Sequence, residues 1–232
     1  MSNKQQIKID ENEKKQLLFI FLISFSLLGQ SQEIEKKNAF AISIGSPGLG
    51  LEYARKVSPK LNAKVVWQTF KLEDFEKEDL EIKDDVVDLL ATIESSIIDL
   101  GIEYLPFKNS SFKLTTGLGL LSKVNANALI TYTEDVKYGD ITITKENIGE
   151  INADVTWSGV APYLGVGFGR PVPKKRFGFG VEFGTYFTSS PDVELTATNL
   201  LSPTSNQKEN LKEALDTFKF IPRIQIRLAY KF

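Results

Sequence analysis

Ten charged side chains recur at alternating positions inside otherwise apolar segments: Glu52, Lys64, Asp99, Glu103, Lys113, Lys123, Glu182, Arg223, Arg227 and Lys231. Carboxylates such as Asp99 and Glu103 are the residue type for general acid–base work, but nothing in their spacing marks a catalytic pair. The chain has no histidine and no cysteine, which removes Ser-His and Cys-His nucleophilic catalysis, the commonest zinc ligands and every thiol chemistry. The expectation is therefore a non-enzyme with no catalytic residue, no cofactor and no metal site. What remains for these charges is to pair with one another, because an unpartnered charge in a narrow apolar setting is very costly.

The element that would position them is a β-strand with one apolar face. In the last fourteen residues, Phe220, Pro222, Ile224, Ile226, Leu228, Tyr230 and Phe232 alternate with Lys219, Ile221, Arg223, Gln225, Arg227, Ala229 and Lys231. A period of two sends those sets to opposite sides of a strand, one toward lipid and one toward a polar interior. Seven earlier segments repeat the pattern: 39–45, 48–57, 61–70, 96–106, 111–123, 157–169 and 177–188. Each is near the roughly 9–11 residues that a tilted strand needs to cross a bilayer. The second departs at Arg55, which falls on the apolar face and implies either headgroup depth or a bulge.

Eight such strands define an all-β fold, an eight-stranded antiparallel transmembrane β-barrel. Its interior is about filled by side chains, which argues against an open pore. A soluble lipocalin-like binding barrel is the rival reading, but it requires apolar residues inside and polar ones outside. A narrow channel or a small hydrophobic-solute transporter is the third.

The connections alternate in length. Residues 58–60, 107–110 and 171–175 read as tight polar turns, whereas 71–95, 124–156 and 189–218 read as long outer loops where an extracellular ligand would be met. Residues 71–92 hold nine acidic residues against three lysines, without the spacing of a calcium loop. The segment 84–98 also has helical periodicity. Residues 207–218 space Leu211, Ala214, Leu215 and Phe218 as an amphipathic helix before the last strand, expected to pack on the rim or cap the mouth, and Ile141–Thr144 suggests a protruding hairpin. Gly165, Gly167 and Gly169 lie at period two within a strand with no helix following, so they read as space for Tyr163 and Tyr186 or as relief of curvature rather than as a nucleotide loop. Trp67, Trp157, Tyr104, Tyr230 and Phe232 read as interfacial aromatics.

The chain of 232 residues, 42% hydrophobic, suits one domain, and its net charge of -2 gives no field for nucleic acid. Its one long apolar run, Leu17 to Leu28, follows Lys14 and Lys15 and precedes Gly29 and Ser31, the layout of a signal peptide. Residues 1–31 are thus assigned to an export leader and 32–232 to the barrel.

With eight alternating strands and a terminal Ile224, Ile226, Leu228, Tyr230, Phe232 series, the chain resembles the small outer-membrane β-barrels of Gram-negative bacteria, the OmpA/OmpW-like group. The stretches 161–167, 195–198 and 218–222 resemble a subgroup described only as outer-membrane proteins. The resemblance implies a location in the outer membrane, contact with its lipid, and delivery by the insertion machinery that reads the terminal series. It implies no activity, because the histidine used by the barrel lipases, deacylases and proteases is missing.

Overall fold

The computed structural model describes residues 36–232 apart from 83–84 and 139–140. The leader assigned to residues 1–31 lies outside the described residues.

Backbone pairing decides the architecture. Strand β1 (Asn38–Gly45) pairs with β2 (Gly48–Lys56) on one side and with the last strand, β11 (Phe220–Lys231), on the other, so that Ile42 stands opposite both Leu51 and Leu228. From β2 the sheet continues through β3 (Leu61–Ile82), β4 (Asp85–Tyr104), β5 (Phe112–Tyr132), β8 (Glu150–Phe168) and β9 (Phe177–Phe187), and β9 returns to β11. Eight antiparallel strands thus form a closed ring with no open edge at the level of the bilayer.

The two faces separate as a transmembrane barrel requires. On β11 the burial alternates residue by residue, with Ile224, Ile226 and Leu228 exposed and Arg223, Gln225, Arg227 and Ala229 buried. Phe40, Leu49, Leu100, Leu118, Leu164 and Phe179 continue an exposed apolar belt around the ring. Such a surface is unstable against water and suited to acyl chains. This is the reverse of a lipocalin. Arg55 is exposed at the short-turn end of β2, where the β1–β2 register runs unbroken up to it and the β2–β3 register unbroken past it, so it marks an edge of the belt and not a bulge.

The segments that read from sequence as long loops are mostly strand. β3, β4, β5 and β8 are 22, 20, 21 and 19 residues long, about twice what a bilayer crossing needs. They therefore continue beyond the belt as a raised wall, which β10 (Asp192–Ala197) extends by pairing with β8. The helical periodicity of 84–98 loses to this pairing, since Val87 to Ser96 are matched mainly with β3 and throughout with β5. Register shifts at Ser96/Ile97 and Leu121/Val124 mark where the wall leaves the belt. The second shift carries β5 from odd to even inward positions, because one extra residue turns every later side chain to the other face.

Above the shift, polarity inverts. Val124, Ala126, Ala128 and Ile130 share the inner face with Trp157, Val155, Ala153 and Ile151, while Asn125 donates to Asp154 at 2.7 Å and Asn127 to Asn152 at 2.7 Å on the outer face. Outside lipid the outer face meets water, so the apolar set belongs inside.

The connections carry a small hairpin of β6 (Val136–Tyr138) with β7 (Ile141–Ile143), a short helix Lys145–Ile148, a 3-10 helix Asn199–Gln207 and an α-helix Lys208–Leu215. That last helix is half-buried at Leu211 and Leu215, exposed at Ala214 and followed by exposed Phe218, and it lies against β10.

A charge on the lipid face tests the assignment of faces. Ile226→Lys, mid-strand on β11, is expected to lower the unfolding free energy in phosphatidylcholine vesicles by about 2–4 kcal/mol. The same substitution at Ile143 in the small hairpin is expected to leave it unchanged within about 0.5 kcal/mol, as read by urea titration of tryptophan fluorescence.

Candidate functional site: a charged interior between apolar caps

Inward positions of six strands deliver eight charged side chains to one cluster: Glu52 from β2, Lys64 from β3, Asp99 and Glu103 from β4, Lys113 from β5, Glu182 from β9, and Arg223 and Arg227 from β11. Each lies in its strand at a position that alternation turns inward. Four are acids and four are cations, so the cluster is neutral as a set.

The pairing is a mesh. Lys64 Nζ lies 2.8 Å from Glu103 and 3.0 Å from Glu182, and Lys113 Nζ contacts the same two carboxylates, Glu103 at 2.6 Å. Glu182 also accepts from Thr115 Oγ1 at 3.2 Å and Tyr163 Oη at 3.0 Å. Arg227 pairs with Glu52 and stands 3.5 Å from Glu103. One layer nearer the raised wall, Arg223 donates to Asp99 at 2.7 Å, Tyr186 Oη donates to Asp99 at 2.9 Å, and Gln225 Oε1 accepts from both Arg223 and Gln68. The Arg223 guanidinium also sits 5.0 Å from the Tyr163 ring centre, within cation–π range.

The mesh is buried from bulk solvent. Lys113, Glu103 and Arg223 are 0% exposed and Glu182 is 1% exposed. In so dry a setting each ion is stabilised only by its partners, and removing one leaves the others uncompensated. Asp99 and Glu103 are both held in ion pairs here.

Glycines make the mesh fit. A Cβ on Gly184 would stand 2.2 Å from Tyr163 Oη and one on Gly119 2.6 Å from the Tyr186 ring, so no larger residue is compatible with the two tyrosines where they lie. Gly165 and Gly167, from the period-two series, serve the same end, since added Cβ atoms would meet Tyr163 Oη at 2.6 Å and the Val181 carbonyl at 2.4 Å.

Apolar side chains close the cluster at both ends. Toward the raised wall, Ile97, Leu121 and Ala161 pack with the two tyrosine rings, and Val124, Trp157 and Ile221 pack against them. At the short-turn end, Ala39, Ala54 and Val172 form a floor. By its sequence 171–175 reads as a polar turn, yet Pro171, Val172 and Pro173 are buried there. The available signal is the lone Val172 between two prolines that present no backbone N–H.

Three placements expected from the sequence need correction. Lys123 lies outside the cluster, at the Leu121/Val124 shift, where Ser122 and Lys123 of β5 stand against the single Ser158 of β8, and it is 61% exposed and pairs with Glu94. Lys231 lies at the short-turn end and donates to the Lys174 carbonyl at 2.6 Å. Trp157 is not a lipid-facing aromatic, because it shares the inward parity of Ala161 and Tyr163. It packs in the apolar cap and donates Nε1–H to the Phe218 carbonyl at 3.1 Å. By contrast, Trp67 and Tyr104 are exposed on the belt, and Tyr230 and Phe232 pack beside Phe177 and Phe40 with ring centres 5.1 and 5.0 Å apart.

A closed eight-stranded ring with an apolar belt and a polar interior is the fold of the small outer-membrane β-barrels. Two crystal structures of Acinetobacter baumannii proteins are similar to it. CarO2 has 17% identity and a TM-score of 0.62, covering 84% of this chain and 99% of that one. CarO has 19% identity and a TM-score of 0.59, covering 88% and 100%. A major outer membrane protein from Thermus thermophilus has 13% identity over 84% of this chain and 98% of that one, with a TM-score of 0.42. No protein-family model matches the sequence, and no curated protein matches it.

Loss of one shared carboxylate tests the mesh. Glu182→Ala strands Lys64 and Lys113 on Glu103 alone and is expected to cost about 3–5 kcal/mol in vesicle-refolded protein. Lys123→Ala, which removes only a surface pair, is expected to cost less than about 1 kcal/mol by the same urea titration.

Proposed function

We propose that this chain is an integral, non-enzymatic protein of the cell outer membrane, a structural or surface-interaction barrel that carries no solute through its centre. The observation behind this reading is the sharing of Glu103 and Glu182 by Lys64 and Lys113 in an interior buried from bulk solvent and capped by apolar layers. Opening a path would require breaking several ion pairs at once in a low-dielectric interior. The apolar belt makes lipid the partner of the barrel body. The terminal Ile224, Ile226, Leu228, Tyr230 and Phe232 suit the insertion machinery, and the raised wall built from 71–95, 124–156 and 189–218 is where an extracellular ligand would be met.

Planar-bilayer recording of the refolded chain is expected to show no steps above bare membrane at neutral pH. Discrete, reproducible steps would overturn the closed-lumen reading. Recovery of the mature chain in a detergent-free periplasmic extract would overturn the membrane reading itself.

A second reading, uptake of small hydrophobic solutes, is favoured by one observation: the inner face of the raised wall is apolar down to Trp157 and Ile221. In a Trp67→Phe background it predicts saturable quenching of Trp157 by a brominated alkane. Quenching that rises linearly without saturation removes it.

A further inference from the structure

The two ends of the barrel differ sharply in charge. Residues 37–38, 54–62, 104–112, 168–177 and 229–232, which make up the short-turn end, contain ten Lys and Arg and no Asp or Glu. The described residues of the raised-wall segments 70–96, 122–158 and 188–219 contain 19 Asp and Glu against eight Lys. Between them the interior cluster is neutral. The overall charge near zero therefore conceals two opposite fields separated by the thickness of the belt.

The basic end is also built at the right depth. Arg55 projects from the lipid face of β2 near exposed Val57, Lys108 follows exposed Phe107, and Arg176 precedes exposed Phe177. Each joins an apolar or aromatic body, continuous with the lipid belt, to a cation just beyond it. Such a side-chain set holds its apolar part among acyl chains and its charge at phosphate level. Lys60, Lys174 and Lys175 are exposed in the turns between them. These segments supply no carboxylate side chain to meet the ammonium of a zwitterionic headgroup.

We propose that the short-turn end is a docking ring for anionic phospholipid headgroups, which seat the barrel in the leaflet on that side and bias its orientation against the acidic raised wall. The proposal rests on the reading of the belt as lipid-facing and adds a preference for headgroup charge to it. Phospholipid is favoured over a soluble polyanion because the cations follow the edge of the belt around the ring instead of gathering in one patch.

Native mass spectrometry of the folded full-length chain, incubated with equal amounts of phosphatidylglycerol and phosphatidylcholine of the same acyl chains, tests this. Phosphatidylglycerol adducts are expected to exceed phosphatidylcholine adducts by about fivefold or more, since each surface cation adds to the attraction. The preference is expected to fall by about half or more in the triple variant Lys174→Gln, Lys175→Gln, Arg176→Gln, and to persist in full in Lys208→Gln, Lys212→Gln, Lys219→Gln at the opposite end. Equal retention of the two lipids by the native chain, or equal loss in both triple variants, would overturn the proposal. If the rim variant does not fold, the native chain in about 0.5 M NaCl decides: screening removes a headgroup preference of this origin, and its persistence overturns it. Failure of the native chain to give a heat-modifiable folded form in any vesicle would instead strike the membrane reading.

Discussion

A strand in hydrocarbon has no water for its N–H and C=O groups, so every backbone group at that depth must find another strand. In this chain the requirement is met by the pairing of β1 with β11, which joins residues nearly two hundred positions apart, Ala39 with Lys231 and Gly45 with Gln225. Once the ring is closed, each side chain in the belt has only two destinations. Alternation then assigns Ile42, Leu51 and Leu228 to lipid, and Glu52 and Arg227 to the interior.

Closure of so small a ring confines the interior and forces its chemistry. Four acids and four cations enter a space closed to bulk solvent, so each carboxylate is shared by more than one donor where geometry allows, as Glu103 is by Lys64, Lys113 and Arg227. Volume is the second constraint. Tyr163 and Tyr186, with rings 4.8 Å apart, occupy room that Gly119, Gly165 and Gly184 leave open. The apolar layers above and below keep the mesh dry, which strengthens each pair and raises the penalty for losing a partner.

Above the belt the same strands obey a different rule. Where water replaces lipid, Val155 and Ile151 turn inward and Asn152 and Asp154 outward, and the extra residue in β5 between Leu121 and Val124 is the joint at which that strand makes the exchange. The expectation of loops over 71–95 and 124–156 fails here. Acidic, mixed sequence reads as loop because its alternation is weak, yet the pairing of β3 with β4 and of β5 with β8 extends already aligned hydrogen-bond ladders and needs little further alternation. Lys123 and Trp157 depart from expectation for related reasons: Lys123 lies at a one-residue shift that no local pattern announces, and the aromatic type of Trp157 points to the interface whereas its parity with Tyr163 points inward.

The sequence alone determined the number of membrane strands, their lipid faces and eight of the ten charges that meet inside, because a period of two is a local property fixed by strand geometry. It also placed glycines opposite the inward tyrosines. Only the tertiary structure decided which acid meets which cation, that Pro171, Val172 and Pro173 form a floor, and that the barrel wall rises as strand beyond the bilayer. Those outcomes depend on register, tilt and the closing pair of strands, which bring together residues whose separation in the chain carries no trace of their proximity.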